Sequence, residues 1–208
     1  MEKKSLKKIL LSVGLVGVIG VGASLAYFSD FTDVLRNTFT MAGEAGEKAV
    51  SLTIKENKVK YENGDYVAVE NEWKTEGEGN NYENLLPGAS LWKNPTVVID
   101  PNTIDSYVVV KVTGLGQDDV FNPITINNTK WIDITSTVDG DEGAKYFQYY
   151  ETVKTTDSGK DLEPLFTNIT VKSDLTTVPE KPDDIVVSAA AVQATNNDNA
   201  VQQAVNLL

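Results

Sequence analysis

Residues 94–112 read NPTVVIDPNTIDSYVVVKV. The segment from Ser106 to Val112 is rich in β-branched residues, which fit a pleated, half-buried surface. Strand alternation puts Val108, Val110 and Val112 on one face and Tyr107, Val109 and Lys111 on the other. This predicts a central strand of the core, ended by Gly114 and Gly116. Upstream, Asp100-Pro101-Asn102-Thr103 turns the chain. Leu91 to Ile99 reads as another strand, with Pro95 at an edge or a strand start. Pro87-Gly88 suits the centre of a type II turn.

The same pattern extends in both directions. Val50, Leu52 and Ile54 alternate with Ser51, Thr53 and Lys55, and Val59 and Tyr61 continue the pattern beyond Glu56-Asn57. Asn63-Gly64 is a hairpin signal leading to the short strand Tyr66–Val69. Lys74 to Glu83 (KTEGEGNNYE) reads as a solvated loop without core content. On the other side, Ile124/Ile126 and Trp131–Ile134, separated by Asn127-Asn128, predict two short strands or one bulged strand. Asp139-Gly140-Asp141-Glu142-Gly143 is an acidic hairpin loop before the strand Lys145–Val153. It lacks the spacing of an EF-hand calcium loop. Tyr146, Phe147, Tyr149 and Tyr150 are read as sheet packing, with a carbohydrate platform as the alternative. Asp161 to Val171 is expected to hold a short helical turn near Pro164. Ile185 to Ala194 is the last strand. Ala200, Val201, Ala204, Val205 and Leu208 have helical spacing, with Asn196 or Asp198 as the cap. Eight to ten short strands with frequent turns and little helix predict an all-β sandwich.

The N-terminus has a different composition. Lys3, Lys4, Lys7 and Lys8 precede Ile9–Leu25, which is apolar apart from Ser12, Ser24 and four glycines. Ser24 and Ala26 are small residues at −3 and −1 of a cut between Ala26 and Tyr27, the order of a secretory signal peptide. An uncleaved anchor is the rival reading, because about 18 apolar residues is the lower edge of what spans a bilayer. No basic stop-transfer cluster follows. Both readings put residues 27–208 outside the cell. The expected division is a signal peptide at 1–26, an N-terminal arm at 27–43, and a single β-sandwich domain with a short C-terminal helix at 44–208. Phe28, Phe31 and Leu35 have helical spacing, so the free arm is read equally as a short helix or as an extended segment with aromatic anchors.

Several stretches, in this order, carry a family resemblance. They are Ala26-Tyr27-Phe28-Ser29-Asp30, Asn37-Thr38-Phe39-Thr40-Met41-Ala42-Gly43, Leu86-Pro87-Gly88, Asn94–Val112 and Ile185–Ala194. Together the chain resembles the TasA and camelysin-like surface and biofilm matrix proteins of Gram-positive bacteria. The resemblance implies a jelly-roll sandwich and processing by a dedicated signal peptidase. It also implies a product secreted to the extracellular matrix or cell surface that self-associates into fibres. Other matrix or cell-wall components are further expected partners, and the membrane is a partner only of the precursor. The anchors expected for strand addition to a neighbouring subunit are Phe28, Phe31 and Phe39. Camelysin relatives are described as metallopeptidases, so the resemblance also implies a surface metallo-endopeptidase as an alternative. A monomeric adhesin is a third reading.

Composition restricts these readings. The chain has no His and no Cys. It therefore cannot build a Ser-His-Asp or Cys-His centre, nor an HExxH zinc helix. A carboxylate-only site would suit calcium rather than a zinc hydrolase, and no cofactor or catalytic residue is assigned. The net charge is −12; removing residues 1–26 takes the counts from 18 to 14 positive and from 30 to 29 negative side chains, a net −15. Such a surface repels nucleic acid and anionic lipid. Without disulfides, the exported chain must be held by its core and sheet hydrogen bonds.

Overall fold

A computed structural model describes residues 50–75, 79–175, 182 and 184–208, and the backbone of residues 23–28. The described strands are β1 (Ala23–Phe28), β2 (Leu52–Glu62), β3 (Asp65–Lys74), β4 (Asn81–Tyr82), β5 (Ser90–Trp92) and β6 (Thr96–Ile99). They continue with β7 (Ser106–Thr113), β8 (Trp131–Asp133), β9 (Lys145–Tyr149), β10 (Lys160–Asp161), β11 (Asn168–Thr170) and β12 (Ile185–Gln193), followed by the helix α1 (Ala200–Asn206). They form two six-stranded sheets, ordered β4-β1-β12-β7-β9-β8 and β10-β6-β2-β3-β5-β11. The fold is the expected all-β sandwich. Its pairs are antiparallel except β1–β4 and β3–β5.

The predicted central strand is β7. It pairs with β12 from Val186↔Thr113 to Gln193↔Ser106, and with β9 from Val109↔Gln148 to Val112↔Lys145. Val108, Val110 and Val112 face the inter-sheet core with Leu52, Ile54, Leu91, Ile99, Ile185 and Val187. Val109 faces the opposite side and packs with Ala190, Val192, Tyr146, Ala200, Ala204 and Val205. A strand covered on both faces reads as a continuous apolar run, which explains Val108-Val109-Val110. The small side chains of β12 let α1 lie close. Among the described residues, no helix is long and apolar enough to cross a membrane.

Asn63 (φ 55°) and Gly64 (φ 100°) make the predicted hairpin between β2 and β3. The structure differs from the sequence reading in five places. First, β2 runs through Glu56-Asn57, with its pairing irregularity between Asn57 and Val59. Period-2 alternation carries Glu56 onto the inward face below Leu52 and Ile54, where the Lys93 ammonium neutralises it at 2.9 Å. Second, the expected strand Leu91–Ile99 is split into β5 and β6 by the corner Lys93-Asn94-Pro95. Third, Ile124 and Ile126 pack on the core from irregular backbone. There the Asn127 amide donates to the Leu165 carbonyl instead of a strand neighbour (2.8 Å). Fourth, no helical turn forms at Pro164. Leu162, Leu165 and Phe166 are buried in irregular chain, and the Trp131 indole donates to the Glu163 carbonyl (2.8 Å). Fifth, α1 begins after Asn199, which makes no side-chain cap, while Asn196 takes a left-handed turn conformation (φ 55°).

Candidate assembly interface

The segment expected to carry the cleavage site lies in the first sheet. The β1 backbone pairs antiparallel with β12 through Ala23↔Ser188, Ser24↔Val187, Leu25↔Val186 and Ala26↔Ile185. It then pairs parallel with β4 through Tyr27↔Asn81 and Phe28↔Tyr82. The Ala26–Tyr27 bond therefore stands where the strand changes partner. Residues up to Ala26 cover the outer edge of β12, and residues from Tyr27 belong to the β4 side. A cut at that bond divides the strand between its two neighbours. The β12 edge from Ile185 to Ser188 then presents unpaired backbone N–H and C=O groups, a template for another strand.

The walls of this slot are firmly held. β12 is anchored by Ile185 and Val187 in the inter-sheet core. β4 is only two residues long and is positioned by side chains. Tyr82 is buried, and its hydroxyl donates to the Trp92 carbonyl (2.6 Å). Its ring meets Tyr66 edge-on at 5.0 Å. The Tyr66 hydroxyl in turn accepts from the Glu83 amide (2.7 Å) and donates to the Glu83 carbonyl (3.0 Å). Burial, followed by the nearby Glu56 carboxylate, holds the pKa of Tyr82 well above the ordinary value.

Of the residues singled out in the sequence, Ala26, Tyr27 and Phe28 are thus brought into one strand. Phe31 and Phe39 lie outside the described residues, as does the rest of the arm from residue 29 onward. The sequence reading missed Asn80 and Tyr82, both buried within a stretch taken for a solvated loop. The available signal was a single aromatic in an otherwise polar run.

The other candidates are absorbed by packing. In the acidic turn, the Asp141 amide donates to the Tyr146 hydroxyl (2.9 Å) and the Asp139 amide to Gln202 Oε1 (2.9 Å). Lys111 pairs with the Asp141 carboxylate. The turn thereby docks α1 onto the sheet. On the aromatic strand, Tyr146, Phe147 and Tyr149 are buried, and the neighbouring Tyr150 is 43% exposed. That leaves no continuous platform for a sugar ring on this strand. Among the described residues, no group of three or more Asp and Glu side chains is placed to hold a metal ion.

No family model, curated protein or solved structure matches the chain.

Proposed function

We propose that this chain is the precursor of a secreted structural protein of a Gram-positive extracellular matrix, and that the mature product assembles into fibres by strand addition. The observation that carries the reading is the division of β1 at Ala26–Tyr27 between β12 and β4. In the precursor, the end of the signal peptide fills the slot beside β12, and the chain caps itself. Processing removes residues 1–26 and with them the cap. The vacated edge accepts the extended arm of a second subunit, and head-to-tail addition that does not close on itself produces a filament. The arm comprises residues 27–43, with Phe28, Phe31 and Phe39 as anchors.

The magnitudes are close enough for processing to act as the switch. Burying aromatic side chains contributes about 25 cal/mol per Å². Ordering some ten arm residues costs roughly 1–2 kcal/mol each. Because these terms are comparable, the backbone ladder and the local concentration at the secretion site decide the outcome. An edge already occupied by residues 23–26 of the same chain offers no ladder.

The test is N-terminal sequencing of fibres collected from the medium, together with electron microscopy of chain 44–208. The reading expects Tyr27 as the first residue and no fibres from the armless chain. Fibres that retain Lys3–Ala26, or that form equally well without the arm, would reject it. Hydrolysis of casein by the purified protein, abolished by a chelator, would favour the peptidase reading instead.

A further inference from the structure

Glu56, Asn80 and Lys93 meet in the interior next to β4. Their exposures are 0%, 3% and 1%. Lys93 Nζ donates to Glu56 Oε2 at 2.9 Å, and Asn80 Nδ2 donates to Glu56 Oε1 at 3.0 Å. Asn80 Nδ2 also donates to the Asn57 carbonyl (2.7 Å), and Asn80 Oδ1 accepts from the Val59 amide (3.1 Å). Lysine is almost never fully buried unless paired. A buried ion pair is weak evidence for stability, since apolar residues of similar volume often serve as well. Salt-bridge formation alone also does not require a carboxamide on the second carboxylate oxygen. Here one water-excluded carboxylate touches a primary amine with one oxygen and a carboxamide with the other. A nucleophile, a proton carrier and an acyl group are thus held together.

We propose that Lys93 and Asn80 become joined by an intramolecular isopeptide bond, with Glu56 as the catalytic residue. Glu56 Oε2 takes a proton from the Lys93 ammonium, and the freed lone pair attacks Asn80 Cγ. The carbonyl electron pair moves onto Oδ1, where the Val59 N–H stabilises it. Protonated Glu56 then delivers its proton to Nδ2. The carbonyl re-forms, the Cγ–Nδ2 bond breaks and ammonia leaves. The second proton of the amine passes to Glu56, so a neutral acid and a neutral amide replace the ion pair. The reaction is redox-neutral and needs no co-reactant. The neighbouring carboxamide of Asn94 is not the acyl group, because it bonds to Asn57 through Nδ2 and Oδ1 (2.9 Å each), whereas Asn80 bonds to Glu56, the partner of Lys93.

The bond would tie the residue immediately before β4 to the corner between β5 and β6. It would fix one wall of the β1 slot covalently in a chain that has no Cys.

Mass spectrometry of the folded protein, recorded in denaturant, tests the proposal without any variant. The intact mass is expected to fall short of the sequence mass by one ammonia. Trypsin should fail to cut after Lys93. A glutamate-specific protease cuts after Glu83, between the two residues, and should leave their fragments joined. In Lys93→Arg the deficit should disappear, and in Asn80→Asp it should become the mass of one water. The sequence mass in the folded wild type would overturn the proposal. A deficit found only in linear peptides, such as a succinimide at Asn63-Gly64, would overturn it equally.

Discussion

Gly114 ends β7 at φ +77°, and a Cβ there would stand 2.2 Å from the Asp184 carbonyl oxygen. The position thus combines a left-handed backbone with contact against the start of β12. Strain at a special φ alone costs on the order of 1–3 kcal/mol, and the clash with fixed backbone adds to it. Gly114→Ala is expected to lose at least that much stability in urea unfolding; a loss within about 0.5 kcal/mol, the range of ordinary surface substitutions, would contradict the geometry. A second residue-scale prediction concerns pH. The Tyr149 hydroxyl donates to Glu163, and this bond, joined by Lys130 at 3.2 Å, holds the Glu163 carboxyl below its ordinary 4.5 despite the opposing effect of partial burial. Folded Glu163 therefore stays ionised at pH values where unfolded Glu163 takes up a proton. Its stabilising contribution is complete above pH 4.5 and is lost as the pH falls through the lower folded value. Glu163→Gln should flatten the acid limb of a stability–pH profile and leave its alkaline limb alone; an unchanged acid limb would show that the bond does not matter. The glycine stop was legible in the sequence, whereas the role of Glu163 was not. Its partner, Tyr149, is 14 residues away, and only the fold brings the two together.

Among the elements, β7 was legible from its β-branched residues and β12 from its apolar and small residues, and α1 because its apolar positions recur with helical spacing. β8 falls within the expected strand Trp131–Ile134, but the two- and three-residue strands β4, β10 and β11 were not legible. Their conformation is imposed by neighbours distant in sequence, as when Lys160 and Asp161 lie against Ile99 and Val98. β4 is the instructive failure. Its surrounding sequence is polar, yet Tyr82 turns inward because Trp92 offers a carbonyl and Tyr66 a ring edge. Glu56 misled in the opposite direction, since a charge in mid-strand reads as an interruption until the partner Lys93 is known. Tyr82→Phe keeps the ring but leaves the part-buried Trp92 carbonyl without this donor, a loss of about 1 kcal/mol. Urea midpoints of the two proteins would show it. A difference below about 0.5 kcal/mol would mean that water replaces the hydroxyl.

At the scale of the whole molecule, β1 makes the chain its own first partner. The order β4-β1-β12 places residues 23–26, the end of the proposed signal peptide, in a sheet, and the proposed cleavage point coincides with the change of neighbour. The proposed cleavage point was legible in the composition of the N-terminus. The slot was not, because no local pattern reveals which edge an incoming strand will meet. The most direct measurement compares two purified chains, one starting at Tyr27 and one at Ala23, by sedimentation and electron microscopy at equal concentration. The longer chain retains the four residues that cover Ile185–Ser188. Fibres are expected from chain 27–208 and monomers from chain 23–208 under the same conditions. Fibres forming at the same rate from chain 23–208, or a chain 27–208 that stays monomeric, would contradict it.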